Sequence, residues 1–248
     1  MFYYGLKAIE VSDLVKIYGD GTVALDGLTF TVEPGEIYGL IGPNGAGKTT
    51  TLRIIATLLK PTSGLVRVLG FDVVDQAEEV RRIISYLPEE AGVYGNLTGY
   101  EYLSFVASLY AGSEDEAKAM IDEALEVSGL GSRIRDRVKS YSRGMLRRLQ
   151  VARTLMVKPK LAILDEPTSG LDVYHAHYVR RCIRRYVDEY GLTVLISSHN
   201  MLEIEYLCDR VLLMYKGRGI DEGSPRSLKD RYASSNMEEV FLKAVGLI

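Results

Sequence analysis

The segment Gly42-Pro43-Asn44-Gly45-Ala46-Gly47-Lys48-Thr49 fits the pattern G-x-x-x-x-G-K-[ST], and it follows the apolar run Ile37 to Ile41. That run reads as a buried strand, and a helix is expected from about Thr49 to Leu59, closed by Lys60-Pro61-Thr62-Ser63-Gly64. A strand feeding a glycine-rich loop and then a helix turns successive backbone N–H groups inward, where they can cradle phosphate. The helix N-terminus adds partial positive charge, Lys48 is placed to reach the β- and γ-phosphates, and the Thr49 hydroxyl to bind Mg²⁺. The loop residues Gly42, Pro43, Asn44, Gly45, Ala46 and Gly47, together with Lys48, Thr49 and Thr50, are therefore the expected binding set for a nucleoside triphosphate. A glycine-rich turn with no ligand is the plainer alternative, and the strand before and helix after weigh against it.

A second strand ending supplies carboxylates. Leu161-Ala162-Ile163-Leu164 is short and charge-free, as a parallel strand buried on both faces would be, and Asp165 and Glu166 follow it. A carboxylate there can hold the Mg²⁺ shell and its neighbour can polarise an attacking water. Thr193 to Ile196 is a third apolar strand of the same kind. Residues 9 to 38 read as short strands broken by turns, among them Gly19-Asp20-Gly21 and Glu33-Pro34-Gly35, and another strand is expected from Leu65 to Leu69. From about Leu97 to Val157 the apolar spacing becomes helical, with Ile121, Ala124, Leu125 and Leu130 at threes and fours. The expected fold is α/β, a P-loop NTPase core with an inserted helical block.

Composition narrows the rest. At 47% hydrophobic and 25% charged the 248 residues are too apolar for a disordered chain, and a net charge of −3 argues against broad electrostatic binding of nucleic acid. The longest stretches without a charge, such as Tyr102 to Ser113, reach only about a dozen residues, short of the roughly 20 that a bilayer span requires. Met1 to Lys7 has no basic start leading into an apolar block, so no secretory leader is expected. Cys182 and Cys208 read as buried thiols. His175 and His177 would diverge on a helix and make a poor metal pair. Arg180, Arg181, Arg184 and Arg185 suggest a solvated face or contacts to acidic neighbours, and Arg147 and Arg148 a structural role.

With these residues in hand the chain resembles the nucleotide-binding subunits of ABC transporters over nearly its whole length. Tyr18 stands thirty residues before Lys48, where that family has an aromatic that stacks on adenine. Tyr141-Ser142-Arg143-Gly144-Met145 stands where the family signature Leu-Ser-Gly-Gly-Gln is expected, Ser169-Gly170-Leu171-Asp172 corresponds to its D-loop, and His199 to its switch histidine. Two positions depart from the pattern. Arg143 and Met145 replace Gly and Gln, although Ser142, Gly144 and the helix N-terminus keep the phosphate-facing groups; Arg143 is expected to bring charge toward the γ-phosphate. Glu89, in Tyr86-Leu87-Pro88-Glu89-Glu90, replaces a Gln that binds Mg²⁺ and the attacking water through its amide oxygen. These variants, with the tail Met237-Glu238-Glu239-Val240-Phe241-Leu242, resemble the ABC type-2 exporters, which include drug and antibiotic efflux pumps.

The resemblance implies a RecA-like, mostly parallel core with an N-terminal antiparallel β subdomain. The ATP-binding domain would span residues 1–222, with the helical subdomain at about 89–157 and a short tail at 223–248. It implies an ATPase in which Glu166, His199, Lys48 and Glu89 serve catalysis and Thr49, Asp165 and Glu89 hold Mg²⁺. Tyr18, the phosphate loop, and Ser142 and Gly144 of a second subunit would bind ATP between two head-to-tail copies. The implied partners are a second ATPase subunit, identical or paralogous, and a separate multi-span membrane permease, without nucleic acid. The implied location is the cytoplasmic face of the cell membrane. A soluble ABC ATPase of iron–sulfur cluster assembly is the alternative from another class.

Overall fold

The computed structural model describes residues 5–248; Met1 to Tyr4, on which the expectation about a leader rests, lie outside the described residues. Two sheets are present among them. The first is antiparallel, in the order β2-β1-β4-β5, from β1 (Ile9–Ile17), β2 (Val23–Val32), β4 (Ser63–Val68) and β5 (Phe71–Asp72). The second has the order β10-β9-β3-β8-β7-β6, from β3 (Ile37–Ile41), β6 (Ile84–Leu87), β7 (Leu161–Asp165), β8 (Thr193–Ser198), β9 (Arg210–Tyr215) and β10 (Arg218–Gly223). All its pairings are parallel except the edge pair of β9 with β10.

The parallel strands β3, β7 and β8 are buried at every position, which is why their sequences run apolar without alternation. The period of two still sorts their side chains between two cores. Tyr38, Leu40, Leu161, Ile163, Leu195, Leu212 and Met214 join the antiparallel sheet and α1 (Lys48–Ile55) on one face. Ile37, Ile41, Ala162, Leu164, Val194, Ile196, Val211 and Leu213 join the helices on the other. Those helices include α3 (Gly99–Tyr110), α4 (Glu114–Ser128), α5 (Arg143–Met156), α6 (Val173–Tyr190) and α7 (Met201–Leu207), while α2 (Ala77–Ile83) lies before β6. The strands point their C-terminal ends to one edge, where the loops after β3, β7 and β8 come together.

Two local differences from the sequence reading have clear causes. The helix expected to reach Leu59 ends at Ile55, because Thr57 adopts φ 62° and the Leu58 N–H turns back to the Arg53 carbonyl at 2.8 Å. Beyond β10, residues 223–248 form α8 (Pro225–Arg231) and α9 (Met237–Ala244), and Leu228, Met237, Val240 and Phe241 enter the helical-face core. Met237 and Val240 are fully buried there.

The arginines and thiols behave as read. Arg184 pairs with Asp209 at 3.0 Å and Arg185 with Glu126 at 2.5 Å, and both cysteines are buried free thiols. His175 is engaged by Asp172, its Nδ1 lying 2.7 Å from Oδ2, and no cluster of three or more His, Cys, Asp or Glu suited to a metal occurs among the described residues. None of the described helices is long and apolar enough to cross a membrane.

Candidate functional site

The loop from Gly42 to Gly47 is held by close packing against its own protein. A Cβ on Gly42 would lie 2.2 Å from the Met214 carbonyl oxygen. Gly47 has φ 103°, and a Cβ there would meet Leu25 Cδ2 at 2.6 Å and the Ala24 oxygen at 2.7 Å. Glycine at these two positions is required by the protein interior as well as by any ligand. Lys48 follows, buried, its ammonium donating to the carbonyls of Gly42 at 2.6 Å and Pro43 at 3.1 Å. Burial lowers its pKa, while Glu166, Asp165 and Glu89 oppose that shift.

A cavity of about 430 Å³ opens above the loop, lined by residues 44–50, Thr22, Val23, Ala24, Glu89, Asp165, Glu166 and His199. The parallel pairing of β7 with β8 and β8 with β3 brings these strand ends side by side. Thr22, Val23 and Ala24 were not singled out from the sequence; the turn Gly19-Asp20-Gly21 just before them is the signal that could have pointed to them. Gly42 and Pro43 instead line a neighbouring cavity with His199, Asn200, Met201, Glu238, Phe241 and Leu242. Tyr18 stands beside the main cavity, half-exposed, its hydroxyl 3.1 Å from Thr50 Oγ1 and its ring 5.5 Å from the Lys16 ammonium.

Asp165 is almost completely buried. Its Oδ1 accepts the Ser197 hydroxyl and lies 3.4 Å from Thr49 Oγ1, while Oδ2 is buried with no hydrogen-bond partner among the described residues. A buried carboxylate oxygen without a donor, beside a hydroxyl and near the exposed Glu89 carboxylate, is the hard-oxygen set that suits Mg²⁺. Glu166 turns at φ 51°, a costly conformation for a residue with a side chain, and its N–H is bonded to the Ser197 carbonyl at 3.0 Å. Its Oε1 accepts the His199 N–H at 2.9 Å and lies 2.7 Å from His199 Nδ1. Its Oε2 lies 3.4 Å from Ser198 Oγ. The carboxylate is therefore fixed at the cavity wall within reach of a water.

Two charged residues behind the wall were not assigned to the site by sequence. Arg147 donates to the carbonyls of Pro88, Glu89, Asp165, Glu166 and Pro167, tying the loops of Glu89 and Glu166 to α5. Burial draws its pKa down to about 10, opposed by Asp165, Glu89 and Glu166. Glu203 is buried and accepts the hydroxyls of Thr168 at 2.6 Å and Ser198 at 2.8 Å. Burial pushes its carboxyl up from the ordinary range, and the two hydroxyls oppose the shift.

Ser142 and Gly144 line a different cavity, with Gly170, Leu171, Asp172 and His175. Ser142 caps α5, its Oγ accepting the Met145 N–H at 3.2 Å, and a Cβ on Gly144 would lie 3.3 Å from Leu171 Cδ2. Arg143 lies against its own D-loop, with Nη2 3.4 Å from Ser169 Oγ. Within one chain the phosphate loop and the signature segment thus face separate openings.

The family described as ABC transporter matches residues 25–169. The chain is 44% identical over 92% of its length to the daunorubicin/doxorubicin resistance ATP-binding protein DrrA of Streptomyces peucetius, covering 69% of that protein. It is 40% identical over 90% of its length to the bacitracin transport ATP-binding protein BcrA of Bacillus licheniformis, covering 72% of that protein. Among solved structures, the ATP-binding subunit of an ABC transporter superposes with a TM-score of 0.86 at 29% identity, covering 96% of this chain and 99% of that one. A dimeric ATP-binding cassette in a post-hydrolysis state with ADP and Pi gives 0.79 at 25% identity, covering 87% and 98%. Relatives named for resistance and transport favour the transport reading over iron–sulfur assembly.

Proposed function

This chain belongs to the ABC transporter family, and from that membership we propose that it is the motor subunit of an exporter, closing on ATP with a second copy and driving a separate membrane-spanning permease. It is an ATPase of that family; the export direction and the residue roles are our reading. The observation that carries the reading is Glu166, a carboxylate held by His199 on the wall of the cavity that also contains Lys48 and Thr49. ATP would lie with its phosphates on the N–H groups of residues 44–50 and its charge against Lys48. Tyr18 would face the adenine. Thr49, Asp165 and Glu89 would hold Mg²⁺, which when bound neutralises phosphate charge and polarises the terminal phosphoryl group. Glu166 would take the proton of the attacking water, and His199 would hold the carboxylate and the γ-phosphate side of the cavity in register.

The separation of the Ser142 and Gly144 cavity from the phosphate loop supports a composite site, in which those residues reach the ATP of the opposing copy. The solved cassette with ADP and Pi is itself a dimer. Both halves of such a site are present in this sequence, so a homodimer with two working sites is proposed. The subunit would sit on the cytoplasmic face of the membrane through its permease. Glu166→Gln with ATP and Mg²⁺ should elute as a dimer on size exclusion and hydrolyse at least a hundredfold more slowly, on the order expected when a general base is removed. A variant that remains monomeric at high concentration, or that keeps its turnover, overturns the reading.

A further inference from the structure

A second carboxylate stands behind Glu166 and does not itself line the nucleotide cavity. Glu203, on α7, is 2% exposed, and its two oxygens take the hydroxyls of Thr168 and Ser198 at 2.6 and 2.8 Å. Ser198 is itself fully buried and sits between two acids, 2.8 Å from Glu203 Oε2 and 3.4 Å from Glu166 Oε2. Its oxygen also accepts the Asn200 N–H at 3.0 Å. A serine hydroxyl has a single proton to donate. The 2.8 Å contact to Glu203 against 3.4 Å to Glu166 makes Glu203 the favoured acceptor.

The direction matters because of what the other oxygen of Glu166 is doing. Oε1 already receives the His199 N–H, and His199 Nδ1 lies at hydrogen-bond distance from it. Were the Ser198 proton to turn to Oε2, both oxygens would be engaged by donors, and hydrogen bonding to an ionised carboxyl makes it a weaker base. A carboxylate at position 203 offers two acceptors and no donor. That is the one common side chain of this size that fixes both hydroxyl protons toward itself; an amide offers a donor on one side, and an apolar residue offers neither. Burying a charge to tether two hydroxyls costs more than an uncharged side chain would, so the acceptor-only chemistry is what the position gains.

We propose that Glu203 is a positioning residue for ATP hydrolysis, holding the Ser198 proton so that Glu166 keeps one oxygen open to the attacking water. This rests on the reading of Glu166 as the base. Glu203→Leu removes the acceptor and turns Ser198 toward Glu166. In the purified full chain with ATP and Mg²⁺, its kcat should fall about tenfold, the scale of one hydrogen bond to a charged group, while KM for ATP stays within about twofold. Adding Ser198→Ala removes the misdirected donor and should return most of the lost rate. A purely structural tether between Glu203 and Thr168 would stay broken in the double variant and give no recovery.

Glu203→Met is the second variant if leucine prevents folding, and the same recovery on adding Ser198→Ala is expected. Wild-type kcat in the single variant, or a double variant as slow as the single, overturns the inference. Glu166→Gln run beside them separates the two levels. If it keeps turnover, the base assignment falls and this inference with it; if it is inactive while Glu203→Leu is fully active, only the role of Glu203 falls.

Discussion

His199 reaches a single oxygen of Glu166 from two directions, its backbone N–H at 2.9 Å and its Nδ1 at 2.7 Å. The carboxylate is buried while the imidazole ring is 60% exposed, so the ring bridges the protein wall and the open cavity. The main-chain bond locks the loop after β8 to the end of β7. The ring bond is the part that a substitution can remove alone.

His199→Ala should therefore leave the fold and the main-chain bond to Glu166 Oε1 in place while removing the ring's own contact with that oxygen. Loss of a positioned acid–base partner costs on the order of a hundredfold in rate. Phosphate release should show that loss, and titration with a fluorescent ATP analogue should show affinity within about threefold. Equal losses in affinity and rate would show that the ring acts mainly on binding.

Glu89→Gln tests the departure from the family pattern. The carboxylate is exposed on the cavity wall, and its backbone is held by the Arg147 bond to the Glu89 carbonyl at 3.2 Å, so the substitution leaves the loop anchored. If position 89 holds Mg²⁺ as proposed, an amide oxygen would still be available to it, and ATPase activity should stay within about tenfold. A collapse to the level of the Glu166 variant would show that the negative charge itself is required.

Much of this site was legible because parallel strands advertise themselves: Ile37 to Ile41, Leu161 to Leu164 and Thr193 to Ile196 are apolar runs, the first leading into the glycine-rich loop and the other two ending at Asp165 and Ser197, which are bonded to each other. What was hidden depends on contacts between distant segments. Arg147 looked structural in a helix, yet its guanidinium gathers carbonyls from two loops 18 to 59 residues away. Glu203 is one carboxylate among many in sequence, and its meaning comes from Thr168 and Ser198 meeting over it. Gly42 and Gly47 were legible as loop glycines, but their close approach to Met214 and Leu25 follows from sheet packing that no local pattern carries. The extent of α9 in the core was concealed because an eight-residue amphipathic helix gives a short signal.

Arg147→Met should be among the most damaging single substitutions outside the cavity lining. It strips donors from the buried carbonyls of Asp165 and Glu166 and the partly buried one of Pro88 together, and each polar group left buried without a partner costs about 1–3 kcal/mol. A loss of about 3 kcal/mol or more in urea unfolding is expected. Arg147→Lys should recover little of it, because an ammonium lacks the planar fork that spans the two loops. Stability close to wild type in either variant would show that water replaces the guanidinium readily.

Phe241→Ala asks whether α9 is structurally part of the motor. Phe241 is 8% exposed, packs with its ring edge-on to Tyr215 at 6.4 Å between centroids, and belongs to the same core as Ile41 and Ile196. Removing a buried phenyl ring from such a core costs about 3–5 kcal/mol when the cavity cannot collapse. Leu247, three residues past the end of α9 at Ala244, is 63% exposed and provides the control. Leu247→Ala should change stability by less than about 0.5 kcal/mol. The phenyl also lines the cavity shared by Pro43 and His199, so its loss should loosen the segment after β8 as well as the core. Faster amide exchange at residues 199–201 in Phe241→Ala, at a denaturant concentration well below its unfolding midpoint, would mark that coupling. Destabilisation with unchanged exchange there would confine α9 to a packing role.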